Sequence, residues 1–270
     1  MSKDKIIIDG KKIAREIEEK VAAQISQIQL GLATVLVGDD KPSGIYAKLI
    51  RKASERVGIL PEHHELSKNT KEKDLIELIE SLNRNERIHG ILIHRPLPKQ
   101  IDERKIIAAI SPEKDVDGSH PSHLGRTLMG IENIIPCAPH AAITILERHR
   151  VKIRGKNAVV VGHSLGVGKP MVMLLLNRNA TVTVCHIHTE NLPKYTREAD
   201  ILATAAGVKN LIKGDMVKKG AAVLDIGGDI DFDIVVPKAS LITPTPGGIG
   251  PVTVALLMEN TVKLALSNSE

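Results

Sequence analysis

Residues 158–176 read AVVVGHSLGVGKPMVMLLL, in which an apolar run, a glycine-rich turn and a second apolar run follow one another. The first run is typical of a buried strand, and the second, from Gly168 onward, is typical of a helix. A strand, a glycine-rich turn and a helix N-terminus together offer amide donors and a positive dipole end to a pyrophosphate. Gly162, Gly166 and Gly168 are not spaced as G-x-G-x-x-G, and a tight strand–helix turn without a ligand is the alternative. The surrounding pattern favours a dinucleotide site.

Short apolar runs alternate with helical patterns through the rest of the chain. Strand candidates are residues 32–38, 89–98, 156–164, 181–187, 200–207 and 221–228, and helix candidates include 43–57, 71–84, 102–110 and 252–266. This alternation predicts an α/β protein with parallel sheets. Proline and glycine near residues 130–140 interrupt the pattern, so we expect separate sheets before and after that break. Pro251 is expected at the first position of the last helix.

Composition restricts the class of protein. The chain has 270 residues, of which 42% are hydrophobic, enough for one large domain or two modest ones. Two cysteines cannot form a disulfide framework and fit a reducing cytosol. The charged N-terminus lacks the apolar segment of a signal peptide, and no apolar run approaches the roughly 18 residues of a membrane span. We therefore expect a soluble cytoplasmic protein without membrane association.

The net charge of +5 raises the question of nucleic-acid binding. Basic residues are interleaved with acidic ones, as in KEKDLIELIESLNRNERIHG, and aromatic residues make up only 1% of the chain. Because single-strand binders rely on aromatic stacking platforms, this composition favours anionic small ligands over nucleic acid.

The strand after the glycine-rich turn bears on the choice of cofactor. It ends in Cys185-His186-Ile187-His188, with Glu190 two residues further on. An NAD site usually presents an acid at this position, whereas an NADP site needs a cation or another donor. Histidines can donate to a phosphate, but their charge near neutral pH is partial, so NADP is favoured and NAD stays open. No third potential ligand lies near the H-x-H pair at a spacing typical of metal sites, so we expect no metal site.

Nine segments in the same order make the chain resemble the FolD-type bifunctional methylenetetrahydrofolate dehydrogenase/methenyltetrahydrofolate cyclohydrolase family. They are IIDGKKIA, VGDDKPSGIYAKLIRKA, HGILIHRPLP, SPEKDVDGSHP, NIIPCAP, GKNAVVVGHSLGVGKPM, ATVTVCH, ADILATAAG and TPTPGGIGPVTVALLMENT. The resemblance implies two α/β domains with a cleft between them. Residues 1–135 plus 250–270 would bind folate, and residues 136–249 would form a Rossmann-like NAD(P)-binding domain with a parallel sheet. Members of the family are typically homodimers.

The same resemblance implies the chemistry and the site residues. The dehydrogenase moves a hydride from 5,10-methylenetetrahydrofolate to NADP⁺, and the cyclohydrolase hydrates the methenyl product to 10-formyltetrahydrofolate. Tyr46 would lie over the aminobenzoyl part of folate, and Asp117 would bind the pterin ring, although a core tyrosine and an Asp-Gly turn are the alternatives. The remaining candidates are Pro246, Gly247, Gly248 and Thr253 for folate, and Gly162, His163, Ser164, Val167, Gly168, His186 and His188 for the cofactor.

Two departures from the family pattern affect catalysis. The family has a lysine four residues after the tyrosine, where this chain has Ile50, and a glutamine where it has His94. Lys48, Arg51 and Lys52 start from other helix angles than Tyr46, so none of them restores the lysine. Arg95, next to His94, also replaces an apolar residue of the family pattern.

These changes leave two interpretations of His94 open. It is either a substitute base or water-orienting group, since an ordinary imidazole has a suitable pKa, or a folate contact in an enzyme whose hydrolysis is weakened or lost. Hydride transfer is mainly a positioning task and needs no protein base, so we expect the dehydrogenase to persist. A catalytically silent folate- or nucleotide-binding relative is the alternative. Near the cofactor, His163 stands where the family commonly has arginine, and Ile187 and His188 also depart from its pattern.

Overall fold

The computed structural model of the chain describes residues 6–25 and 29–267. Its strands are β1 (Ile6–Ile7), β2 (Gly31–Val37), β3 (Leu60–Leu66), β4 (Gly90–Ile93), β5 (Asn157–Val161), β6 (Thr181–Cys185), β7 (Ile201–Thr204), β8 (Ala222–Asp225) and β9 (Leu241–Ile242). Its α-helices are α1 (Gly10–Gln24), α2 (Lys41–Val57), α3 (Glu72–Arg84), α4 (Glu103–Ala109), α5 (Pro121–Leu128), α6 (Cys137–Arg148), α7 (Gly168–Asn177), α8 (Leu192–Thr196), α9 (Phe232–Val235) and α10 (Ile249–Ser267).

The strands form two parallel sheets, as the alternating pattern predicts. One has three strands in the order β3-β2-β4, and the other has six in the order β1-β9-β8-β7-β5-β6. The separation at the break near residues 130–140 holds with one exception. The N-terminal strand β1 lies in the six-stranded sheet, because Ile6 pairs with Leu241 and Ile7 with Ile242.

The chain divides into two compact units. The six-stranded unit comprises residues up to Ala14, Arg126–Glu132 and Pro136–Thr253. The three-stranded unit comprises Arg15–Gly125, Asn133–Ile135 and the residues from Val254. These bounds differ from the expected ones (1–135 plus 250–270, and 136–249) chiefly at the N-terminus, because β1 pairs with β9.

The strands β2, β4, β7 and β8 are buried at every position, as in parallel sheets that are covered on both faces. In the three-stranded unit, one face of β2 and β4 packs with α3 through Ala33, Val35, Ile91, Ile93, Leu75 and Ile79. In the six-stranded unit one buried cluster contains Val159, Val161, Leu202, Val223 and Ile242. Aliphatic residues make up most of these cores, with Cys185 and Met216 among the buried members and Tyr195 and Phe232 packed at the edge of the second cluster.

Several element boundaries differ from the predicted ones for local reasons. β4 ends at Ile93 instead of continuing to residue 98, because Pro96 cannot donate a ladder hydrogen bond. α10 begins at Ile249, so Pro251 is its third residue rather than its first; proline fits there because first-turn amides have no intrahelical partner. The length and composition of α10 would suit a membrane span, but 72% of its most apolar window is buried, as in a core helix.

Candidate active site

Helix α2 positions the tyrosine of the three-stranded unit. Its N-cap is Asp40, whose Oδ2 accepts from the Ser43 N–H at 2.9 Å and from the Ser43 hydroxyl at 2.6 Å. These hydrogen bonds lower the pKa of the Asp40 carboxyl. With Pro42 in the first turn, the sequence DKPS therefore fixes the start of the helix, and Tyr46 follows one turn later.

The Tyr46 face combines one aromatic contact with one buried aliphatic position. The rings of Tyr46 and His94 are 6.0 Å apart at an interplanar angle of 90°. Ile50, one turn after Tyr46, has 0% of its surface exposed, while Lys48 and Lys52 are exposed. The structure therefore brings Tyr46 and His94 together and places an aliphatic core residue at the position of the family lysine.

His94 is a buried imidazole directly after β4. The backbone N–H of His94 donates to the Val35 carbonyl oxygen at 2.8 Å, and the residue is only 3% exposed. Burial, together with the nearby His63, lowers its pKa to about 4, so that the ring is neutral at physiological pH. Within the described residues, its Nε2 has no hydrogen-bond partner. A neutral ring with an unsatisfied nitrogen can orient a polar ligand atom, but it is a weak base at pH 7.

His63 belongs to this cluster and was missed by the sequence analysis, because β3 was not among the predicted strands. The register places Thr34 between His63 and Leu92 on one face of the sheet. The Thr34 hydroxyl lies 2.7 Å from His63 Nδ1, and the His63 ring is 6.2 Å from that of His94. β3 is an edge strand whose residues are exposed or half-buried, so its sequence LPEHHEL lacks the apolar run by which the buried strands were predicted.

Asp117 lies in the turn after the short 3₁₀ helix Pro112–Lys114 and is held by the residue that follows His94. Arg95 Nη2 donates to Asp117 Oδ2 at 2.5 Å, and the Ser119 hydroxyl donates to the same oxygen at 2.6 Å. Arg95 Nη1 reaches Glu103 Oε1 at 3.4 Å. Tyr46, His94 and Asp117 are thus connected through His94–Arg95 within the three-stranded unit.

A second carboxyl lies beside Asp117. Asp115 is 1% exposed, and its Oδ2 accepts from the His120 N–H at 2.7 Å. Burial and the charge of Asp117 raise the pKa of Asp115 to about 7. The DVDG turn therefore places a carboxyl that titrates near neutrality next to the candidate pterin-binding residue.

In the six-stranded unit, glycines make the β5–α7 turn possible. Gly162 has φ of +114°, and an added Cβ would overlap the carbonyl oxygen of Ala205. An added Cβ on Gly168 would overlap the carbonyl oxygen of Gly162 and approach His163 Cα to 2.7 Å. Close packing of this kind lets a backbone approach a pyrophosphate.

The N-terminus of α7 is held by hydrogen bonds from backbone N–H groups to Ser164. Its N-cap is Val167, whose side chain makes no capping hydrogen bond. The Gly168 N–H lies 3.4 Å from the Ser164 hydroxyl, and the Lys169 N–H donates to the Ser164 carbonyl at 3.1 Å. A helix N-terminus that follows a glycine cradle fits the diphosphate of a dinucleotide. Gly162, Ser164, Val167 and Gly168 lie together in this turn, and their role in holding a cofactor stays a prediction.

The three candidate histidines form a cluster beyond β5 and β6. The rings of His163 and His186 are 4.9 Å apart, and those of His186 and His188 are 6.0 Å apart. All three residues are exposed. The His188 N–H donates to His186 Nδ1 at 3.2 Å, so in its neutral form His186 carries its proton on Nε2. Within the described ranges 6–25 and 29–267, no group of three or more His, Cys, Asp or Glu residues has metal-binding geometry.

The glycine-rich loop before α10 packs against the start of α1. The Gly10 N–H donates to the Gly247 oxygen at 3.0 Å, and an added Cβ on Gly10 would overlap the Gly248 oxygen. Gly247 itself has φ of +110°. This contact brings the segments IIDGKKIA and TPTPGGIGP next to each other. Thr253 is buried, and its hydroxyl donates to the Ile249 oxygen at 3.0 Å.

The candidate residues therefore form two groups. Tyr46, His94 and Asp117 lie in the three-stranded unit, whereas Pro246, Gly247, Gly248, Thr253 and the cofactor candidates lie in the six-stranded unit. The parallel sheet and the glycine-rich turn of the six-stranded unit are typical of an NAD(P)-binding domain of the α/β class.

Comparison with known proteins identifies the family. Residues 8–117 match the model of the tetrahydrofolate dehydrogenase/cyclohydrolase catalytic domain, and residues 136–269 match that of the corresponding NAD(P)-binding domain. The chain belongs to the tetrahydrofolate dehydrogenase/cyclohydrolase family, and it is an enzyme of one-carbon folate metabolism. This finding confirms the resemblance, the fold class and the NAD(P) cofactor predicted from the sequence.

Individual relatives match over nearly the whole chain. The bifunctional protein FolD of Methanosarcina barkeri is 50% identical over 97% of this chain and 96% of its own. The crystal structure of FolD from Campylobacter jejuni has 41% identity and a TM-score of 0.92, covering 98% of this chain and 100% of that one. The Trypanosoma brucei enzyme, solved with NADP and an inhibitor, has 33% identity and a TM-score of 0.95, covering 98% and 99%.

Proposed function

We propose that this chain oxidises 5,10-methylenetetrahydrofolate to the 5,10-methenyl form with NADP⁺ and that its cyclohydrolase step is weak. The observation that carries this proposal is the complete burial of Ile50 at the position of the family lysine. An aliphatic side chain can neither accept a proton from water nor stabilise the developing charge. General acid–base assistance of this kind is commonly worth about 10²–10⁴-fold.

The residues needed for hydride transfer are present in both units. Tyr46 offers an aromatic surface, Asp117 an acceptor for the pterin ring, and the β5–α7 turn a cradle for the dinucleotide. The cofactor supplies the hydride acceptor when bound, and the protein has only to orient the reacting groups. The dehydrogenase is therefore expected to tolerate the loss of the lysine.

The environment of His94 is a second argument that the hydrolysis step is weak. Because burial holds its pKa near 4, it cannot serve as an efficient base at neutral pH. Its unsatisfied Nε2 can still orient a water molecule or contact folate. We propose the orienting role, which makes His94 the residue that maintains whatever hydrolysis remains.

NADP is the proposed cofactor because the ends of β5 and β6 present imidazoles rather than a carboxylate. Gly162, Ser164, Val167 and Gly168 would hold the diphosphate, and His163, His186 and His188 would donate to the 2′-phosphate. NAD⁺ would gain nothing from the histidine cluster.

We also propose that the enzyme acts in the cytoplasm as a homodimer, as members of the family typically do. Strand β6 lies at an edge of its sheet, and its Val184 is 38% exposed, which suits a surface shared between two copies. Light scattering on the purified protein tests the oligomeric state.

An assay with 5,10-methylenetetrahydrofolate and NADP⁺ tests the proposed reaction. Reduced cofactor and methenyl product are recorded together, against a blank for spontaneous hydrolysis. We expect methenyl product to accumulate in step with NADPH. Tight binding of both ligands without turnover would instead identify a catalytically silent relative. Clearance of the methenyl product much faster than the blank would contradict weak hydrolysis.

A further inference from the structure

Arg95 is a charged residue at a position where the family pattern has an apolar one, and the proposed reaction does not use it directly. Its guanidinium contacts three side chains. Nη2 donates to Asp117 Oδ2 at 2.5 Å and to the Ser119 hydroxyl at 3.3 Å, and Nη1 donates to Glu103 Oε1 at 3.4 Å. The side chain of Arg95 is only 25% exposed, so water screens these contacts incompletely.

The backbone of Arg95 is tied to the helix that carries Tyr46. Its carbonyl oxygen accepts from the Ser43 hydroxyl at 3.1 Å, and Ser43 is itself bound to the N-cap Asp40. One residue therefore connects the start of α2, the end of β4 and the DVDG turn. A planar guanidinium held in this way restricts the rotation of the carboxylate that it contacts.

The contact between Arg95 and Asp117 also affects the protonation of the neighbouring Asp115. Asp115 and Asp117 are close enough for the charge of Asp117 to raise the pKa of Asp115, whereas the charge of Arg95 lowers it. The charged and titratable groups facing the pair are Arg95 and, beyond it, Glu103 of α4; His120 contributes its backbone N–H. Without Arg95, the buried carboxyl of Asp115 would lie beside that of Asp117 with no cation next to them, which would raise the pKa of Asp115 further.

We propose that Arg95 is a positioning residue for folate, which holds the carboxylate of Asp117 in a single orientation. Oδ2 of Asp117 is occupied by Arg95 and Ser119, which leaves Oδ1 to accept from the N–H groups of the pterin ring. This inference rests on the proposed role of Asp117 in binding folate. An acceptor fixed before binding loses less conformational freedom when the substrate arrives.

Arg95→Leu, which introduces an apolar side chain of the family type, and Arg95→Lys, which keeps the charge, test the proposal. For Arg95→Leu we expect the KM for 5,10-methylenetetrahydrofolate to rise about tenfold at pH 7.5, as for a lost charge-assisted contact. The KM should rise further as the pH falls from 8 to 6, because the uncompensated carboxyl pair takes up a proton. The kcat and the KM for NADP⁺ should stay within about twofold, and Arg95→Lys should recover part of the loss. Arg104→Leu, which removes an exposed arginine of α4, is the matched control.

The Kd for folic acid, measured by calorimetry, keeps the proposal testable apart from turnover. A wild-type protein that binds folic acid but does not turn over would contradict the proposed reaction, while a weaker Kd in Arg95→Leu would still support the role of Arg95. Wild-type values of KM and Kd in a folded Arg95→Leu protein, at every pH, would overturn it. A parallel fall of kcat and thermal stability with unchanged KM would instead show a merely structural role. If Arg95→Leu does not fold, Arg95→Lys decides, with an intermediate KM expected and a wild-type KM at pH 6 contradicting the proposal.

Discussion

The glycine-rich turn of the six-stranded unit and the Tyr46 face of the three-stranded unit depend on their sequences in different ways. The turn uses backbone amides and the absence of side chains, so Gly162 and Gly168 are constrained by neighbouring main-chain atoms. The Tyr46 face uses particular side chains, and there Ile50, His94 and Arg95 all depart from the family pattern. The glycine-rich turn is therefore difficult to alter without disturbing the fold, whereas a side chain on the Tyr46 face can be replaced by a core residue that packs well.

The largest expected effect lies in the cradle. Gly168→Ala adds a Cβ that overlaps the Gly162 carbonyl oxygen, which belongs to the backbone and cannot move aside cheaply. We expect NADP⁺ affinity to fall at least about 100-fold, since the turn must shift to relieve the overlap. Titration of the cofactor by calorimetry measures this loss.

Gly125→Ala is the control for that substitution. Gly125 is an exposed residue of α5, and an added Cβ there would meet no atom within 4 Å. Alanine is the better helix former, so this variant should be as stable as the wild type or about 0.5–1 kcal/mol more stable. Unchanged cofactor affinity in Gly168→Ala would show that the cradle is not held by backbone packing.

A smaller effect concerns stability in the three-stranded unit. The folded-state pKa of Asp115, about 7, lies above that of an unfolded aspartate, so between about pH 4 and 7 the native state binds the extra proton. The contribution of Asp115 to stability is therefore most favourable below pH 4 and is lost as the pH rises to 7. Asp115→Asn removes this titration and keeps an oxygen that can accept from the His120 N–H.

Urea unfolding at pH 4.5 and at pH 8 measures the difference between Asp115→Asn and the wild type. The free energy of unfolding of Asp115→Asn, taken relative to that of the wild type, should be higher at pH 8 than at pH 4.5 by on the order of 1–3 kcal/mol. Asp39→Asn, which neutralises an exposed carboxyl, should stay within about 0.5 kcal/mol at both. An Asp115→Asn difference that does not vary with pH would contradict the raised pKa.

The smallest effect is expected at the histidine cluster. His186→Ala removes one donor to the proposed 2′-phosphate, which is worth about 1 kcal/mol or roughly fivefold in the Kd for NADP⁺. The Kd for NAD⁺ should hardly change. Ile187→Ala is the matched control, because Ile187 is 88% exposed between the two histidines. Equal losses for both cofactors would place His186 outside the phosphate site.

The parallel sheets, the glycine-rich turn and the departure at Ile50 could be predicted from sequence, because they depend on local patterns and on motif order. β3 and β1 could not. β3 is an edge strand with polar residues, and β1 has only two residues whose partners follow more than 200 positions later. The contact between Arg95 and Asp117 spans 22 residues and depends on how two turns meet. No periodicity in the sequence indicates such a pairing.

The double variant Ile50→Lys/His94→Gln tests most directly whether hydrolysis was weakened on the Tyr46 face. Methenyl hydrolysis and NADPH formation are measured for the variant and the wild type, with His94→Gln alone as the control and thermal unfolding as the check on folding. We predict that the ratio of hydrolysis to dehydrogenation rises about 100-fold or more in the folded double variant but not in the control, while dehydrogenation stays within about fivefold. An equal ratio in the wild type and the folded double variant would contradict the account.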